Sequence, residues 1–160
     1  MRIDKLTSKL QSALADAQSM AAGGDNNFIE PSHLLLTLMD QKGGSVRPLL
    51  SQTGFDITDL RAKLQTLVDD LPKLQNSTGE ISVSSDLAKV LNQADKIAQQ
   101  KGDSFVSSET ILLVAMGDAV RATTQIRDGV FKRLFRYAIR IQQFANRSGI
   151  PQSNKQYRLT

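Results

Sequence analysis

The chain has 160 residues, no cysteine and one histidine. That length is enough for one domain to bury its own core, and the missing thiols exclude disulfides, thiol catalysis and a zinc cluster of the usual four nitrogen or sulfur ligands. The net charge of +4 is unevenly placed: residues 1–120 carry 11 Lys/Arg against 15 Asp/Glu, a balance of −4, whereas residues 121–160 carry 9 against Asp128 alone, a balance of +8.

In chain order, Leu6, Leu10, Ala13, Leu14, Ala17, Met20 and Ala21 recur at three- and four-residue steps, which predicts an amphipathic helix over about 4–22, ended by Gly23-Gly24. Pro31 suits the first position of a second helix running to about Gln41. A short helix around Ser45–Gln52 follows Gly43-Gly44. Asp56 then caps a fourth, with Ile57, Leu60, Leu64, Leu67 and Leu71 along one face, and Pro72 closes the unit. Residues 73–83, KLQNSTGEISV, are polar, contain a Ser-Thr-Gly turn and read as a linker. Ser84 or Ser85 caps a helix with the stripe Leu87, Val90, Leu91, Ala94, Ile97 and Ala98, ending at Gly102. Ser107 caps another that runs to about Met116. No stretch reads as a strand. The longest apolar runs, Leu34–Leu36 and Ile111–Met116, fall far short of the roughly 20 residues of a membrane span, and no secretory signal is evident. A cytoplasmic protein is expected.

The segments FIEPSHLLLTLMD at 28–40 and FVSSETILLVAMGD at 105–118 belong to a longer internal repeat. Shifting the chain by 77 positions places Leu10 on Leu87, Leu14 on Leu91, Ala17 on Ala94, Ala21 on Ala98, Phe28 on Phe105, Leu35 and Leu36 on Leu112 and Leu113, and Met39 on Met116, without a gap. The expected fold class is all-α: a duplicated four-helix repeat with pseudo-two-fold symmetry. Repeat one covers 1–72, the linker 73–83 and repeat two 84–147, with a disordered tail at 148–160.

MRIDKLTSKLQSALADAQSMA, DNNFIEPSHLLLTLMDQKGGSVRPLLSQTG and LNQADKIAQQKGDSFVSSE, in that order, resemble the Clp N-terminal repeat domains, and the opening MRIDKLT resembles the ClpB branch among them. The resemblance covers about residues 1–117. It implies a mobile domain, monomeric when isolated, that engages unfolded or aggregated polypeptides for a hexameric AAA+ ring working with the DnaK chaperone. In the related ClpA and ClpC protease ATPases such a domain binds adaptors instead. The family's AAA+ modules use ATP and Mg. These 160 residues contain no Gly-x-x-x-x-Gly-Lys-Ser/Thr loop, so no cofactor and no catalysis is expected of them. From about residue 118 the family pattern is lost: at the 77-residue offset Leu50 falls on Arg127 and Gly54 on Phe131. Val130, Leu134, Tyr137, Ala138, Ile141, Phe144 and Ala145 still make a helical stripe, read as an altered end that packs as a substitute last helix.

The resemblance also implies polypeptide-contacting surface positions at Thr7, Leu91, Asp103, Glu109 and Thr110. Each has a plainer reading. Leu91 pairs with Leu14 in the repeat and suits a core, Asp103 suits a turn, and Glu109 suits the first turn of a helix, where the dipole favours negative charge. His33 has no Gly-x-Ser-x-Gly partner and reads as a packed or surface residue rather than a catalytic one. Asp69 and Asp70, about 100° apart on a helix, cannot converge on one substrate atom. Lys132, Arg133, Arg136 and Arg140, interleaved with aromatics, suggest a rival class, binding of nucleic acid or an acidic membrane surface.

Overall fold

The structure is a computed structural model that describes residues 2–52, 56–74 and 80–123, with side chains as far as Ala115 in the last helix. Its helices are α1 (Ser8–Gly23), α2 (Pro31–Asp40), α3 (Val46–Gln52), α4 (Ile57–Asp69), α5 (Ser85–Lys101) and α6 (Ser108–Thr123). The all-α class holds. Two short strands, β1 (Phe28–Ile29) and β2 (Ser82–Val83), pair in parallel, and β2 occupies the end of the segment expected to be only a linker. The substitute last helix, the basic cluster at 132–140 and the tail at 148–160 lie outside the described residues.

The first helix starts later than its apolar stripe predicts. Ile3–Lys5 form a 3-10 turn, Leu6 forms a parallel bridge with Val106, and Thr7 caps α1 by accepting from the Leu10 N–H at 3.3 Å. Leu6 is still buried, which is why it fits the helical period while lying outside the helix. The other caps sit where the sequence places them. Asp56 accepts from the Asp59 N–H at 3.0 Å, and Ser84 from the Leu87 N–H at 3.0 Å.

The backbone carries the 77-residue offset into three dimensions. The N–H of Thr7 donates to the Val106 carbonyl at 3.0 Å, and the N–H of Ser84 donates to the Ile29 carbonyl at 3.1 Å. Thr7 corresponds to Ser84 and Ile29 to Val106, so the two bonds are one bond written twice with the units exchanged. Asn26 N–H to Ala21 carbonyl (2.9 Å) and Asp103 N–H to Ala98 carbonyl (2.8 Å) repeat inside each unit, as do Gln11 to Thr7 and Ala88 to Ser84. Backbone handedness repeats too. Asp25 has φ 57° and its equivalent, Gly102, has φ 74°, the left-handed turn that ends a helix.

Because each unit lends its opening segment to the other, there is a single core. Leu6, Leu10, Leu34, Met39 and Leu50 of the first unit and Leu87, Leu91, Val106 and Ile111 of the second belong to one buried cluster. α1 packs on α2, α5 on α6, and α4 covers α2. At the far end of α2, Arg61 of α4 holds Asp40 in a two-pronged hydrogen bond, Nε to Oδ1 at 2.8 Å and Nη2 to Oδ2 at 2.7 Å. That hydrogen bond keeps the Asp40 carboxyl below its ordinary pKa, against a smaller upward push from burial.

Candidate polypeptide-binding surface

Val106, in the connection between α5 and α6, is the meeting point of the two units. It receives the Thr7 N–H and donates its own N–H to the Lys5 carbonyl at 2.7 Å, so the start of α1 lies against the start of α6. Thr7 comes from one unit; Asp103, Glu109 and Thr110 flank Val106 in the other. The candidate residues on this connection therefore share one seam. Leu91 does not join them at the surface: it is 6% exposed and part of the core, as its repeat partner Leu14 suggests.

Two more of the five are not surface groups. Thr7 is 8% exposed and Thr110 3%, because both serve helix starts. Thr7 caps α1, and Thr110 places its hydroxyl 3.0 Å from the Ser107 hydroxyl, which itself accepts from the Thr110 N–H at 3.3 Å. Glu109 is half-buried and accepts from the hydroxyl of Ser45, just before α3. That tie crosses from one unit to the other. Sequence reasoning missed Ser45, since a serine after two glycines looks like ordinary turn chemistry.

Asp103 is different. Both carboxylate oxygens are shielded from solvent and neither has a hydrogen-bond partner among the described residues. Its counterpart in the first unit, Asn26, is fully used: Oδ1 meets His33 Nε2 at 3.1 Å and Nδ2 donates to the Pro72 carbonyl at 3.2 Å. His33 in turn accepts the Glu30 N–H at Nδ1, 2.9 Å, completing a capping box at the start of α2. With Nδ1 accepting, the ring proton resides on Nε2. The ring is fully buried, and burial lowers its pKa. The two seams are thus alike in backbone and unlike in chemistry. The first is sealed by Asn26 and His33, while the second presents a desolvated acceptor at Asp103.

Among the described residues no cluster of His, Cys, Asp or Glu could hold a metal ion, and no helix is long and apolar enough to cross a membrane. Asp69 accepts from Gln65 at 3.0 Å, and Asp69 and Asp70 are both exposed.

A helical repeat domain of this kind, two units exchanging their opening segments, has known relatives. Residues 5–128 match the family model of the Clp repeat (R) N-terminal domain. The chain belongs to that family. Its sequence is 54% identical over 140 residues to the chaperone protein ClpB of Pseudomonas putida, covering 87% of this chain and 16% of the relative; the chain spans about a sixth of the length of that curated relative. The N-terminal domain of Hsp104 from Candida albicans shares the fold with a TM-score of 0.71 at 22% identity, over 92% of this chain and 93% of that one. A ClpV N-domain solved in complex with a VipB peptide superposes with a TM-score of 0.64 at 22% identity, over 73% and 71% of the two chains. The sequence likeness is to ClpB chaperones, and a ClpA or ClpC ATPase is not favoured over them.

Proposed function

We propose that the chain is the polypeptide-engaging N-terminal domain of a ClpB-type disaggregase, presenting unfolded or aggregated segments to an ATP-driven ring. The observation that carries this reading is the likeness to a ClpB chaperone over 87% of the chain. The seam supports it: Thr7, Asp103, Glu109 and Thr110 flank one inter-unit junction, and a ligand that opened this junction would meet the shielded Asp103 carboxylate, whose oxygens can accept from a backbone N–H or a side-chain donor. Binding through a few backbone and apolar contacts suits ligands that share no sequence. A hexameric ring, ATP with Mg in its motor modules and cooperation with DnaK belong to the same proposal.

Chemical-shift titration tests it, using a reduced and alkylated polypeptide, duplex DNA and acidic vesicles as separate additions. Shifts at Thr7, Asp103 and Glu109 with the polypeptide alone are expected. Shifts confined to residues 130–147 with DNA or vesicles overturn the reading.

A further inference from the structure

The hydrogen bonds around His33 run in one direction and join three segments. Glu30 N–H donates to His33 Nδ1 at 2.9 Å, His33 Nε2–H to Asn26 Oδ1 at 3.1 Å, and Asn26 Nδ2–H to the Pro72 carbonyl at 3.2 Å. Beside them the Leu74 N–H donates to the Asp25 carbonyl at 3.0 Å. The start of α2, the turn after α1 and the chain leaving α4 are therefore tied together through one imidazole. We propose that this relay is an acid-released latch: uptake of a proton at His33 Nδ1 breaks the bond from Glu30 and frees the exit of the first unit, Pro72–Leu74.

The chemistry is simple. A neutral imidazole has one lone pair in its ring plane, and here it receives the Glu30 N–H. Once a proton from solvent occupies Nδ1, two N–H groups face each other and the ring must turn away. Turning withdraws Nε2–H from Asn26, whose carboxamide then loses the partner that orients it toward Pro72. The hydrogen-bond partners of the ring among the described residues are the Glu30 N–H and Asn26 Oδ1, and neither carries a charge. The buried residues of α1 are Leu10, Ala13, Ala17 and Ala21, those of α3 are Val46 and Leu50, that of α4 is Val68, and those of α5 are Leu87, Val90, Leu91, Ala94 and Ala98. On α6 they are Ser108, Thr110, Ile111, Leu112 and Val114. The charged groups on the tied segments are Asp25 and Glu30 before α2 and Asp69, Asp70 and Lys73 at the end of α4. Glu30 alone among them bonds to α2, at the His33 backbone N–H.

The second unit is the internal control, because Thr110 replaces His33 there and carries no titratable group. The test is amide hydrogen exchange on the full chain between pH 7.5 and 5, corrected for intrinsic exchange, with the imidazole ¹⁵N shifts followed in parallel. Protection of Glu30 and Leu74 is expected to fall as pH drops, by up to about tenfold per pH unit below the pKa of the freed imidazole, while Thr7 and Asp103 stay protected. In His33→Gln the fall is expected to disappear. Flat protection at Glu30 and Leu74 across the window overturns the latch. So does a parallel loss at Thr7 and Asp103, which signals global unfolding, and both outcomes are read on the native chain even if the variant does not fold.

Discussion

Asp25 and Gly102 occupy equivalent left-handed positions, but only glycine is free of the Cβ clash that such angles impose. Asp25→Gly is therefore expected to stabilise the protein by up to about 1 kcal/mol, and Gly102→Ala to destabilise it by about 1 kcal/mol. Urea denaturation midpoints measure both. The Asp25 side chain is exposed and its carbonyl bond to Leu74 survives the change, so the comparison isolates the backbone. At this scale the serine and aspartate caps were legible because each precedes an apolar run. Thr7 was not, since Leu6 completes the apolar stripe and hides the helix start. The part played by His33 was also out of reach: the sequence shows an imidazole, but which nitrogen accepts depends on Glu30 folding back over the α2 start.

In α4, a helix of 13 residues, Val68 is the one buried residue. Arg61 and Asp40 pin it to α2, and both side chains are about two-fifths exposed. Solvent screening limits such a pair to about 1 kcal/mol or less, so Arg61→Ala is expected to lower stability by that amount. The pair also has a defined pH range. Its carboxyl has a lowered pKa in the fold, so its contribution is present above the unfolded value of about 3.9 and is lost as pH falls through the folded one. Acid unfolding of Arg61→Ala is accordingly expected to begin at higher pH than in the parent, a shift that circular dichroism can follow. The α4 stripe was visible in the sequence. β1 and β2 were not, because two residues cannot show a period and their pairing depends on a partner more than 50 positions away.

Over the whole molecule, the offset of 77 revealed the duplication but not the exchange. Periodicity says that two units match; it does not say that the opening segment of each completes the other. The exchange has a consequence for folding. Residues 1–72 alone lack Val106 for Leu6 and Thr7, and Ser84 for Ile29, and they lose half of a shared core. That fragment is expected to show no cooperative thermal transition, whereas Leu10→Ala and Leu87→Ala, at equivalent fully buried positions, each cost about 2–5 kcal/mol in one global transition. Independent melting of the two units would contradict a single core.

The candidate site was legible only as a set of residue types attached to a resemblance. The repeat already suggested that Leu91 belongs to the core, but the assembly of the others on one seam and the tie from Ser45 to Glu109 depend on long-range packing. What separates the two seams is Asp103 against Asn26. A carboxylate whose oxygens are shielded from solvent and have no partner among the described residues costs stability that a bound donor can recover. The most direct test measures Asp103→Asn for thermal stability and for affinity toward a reduced, alkylated polypeptide by fluorescence anisotropy. The binding account predicts stability unchanged or raised by about 1 kcal/mol, with affinity reduced several-fold. A loss of stability with affinity intact would contradict it and leave Asp103 as the residue of a turn.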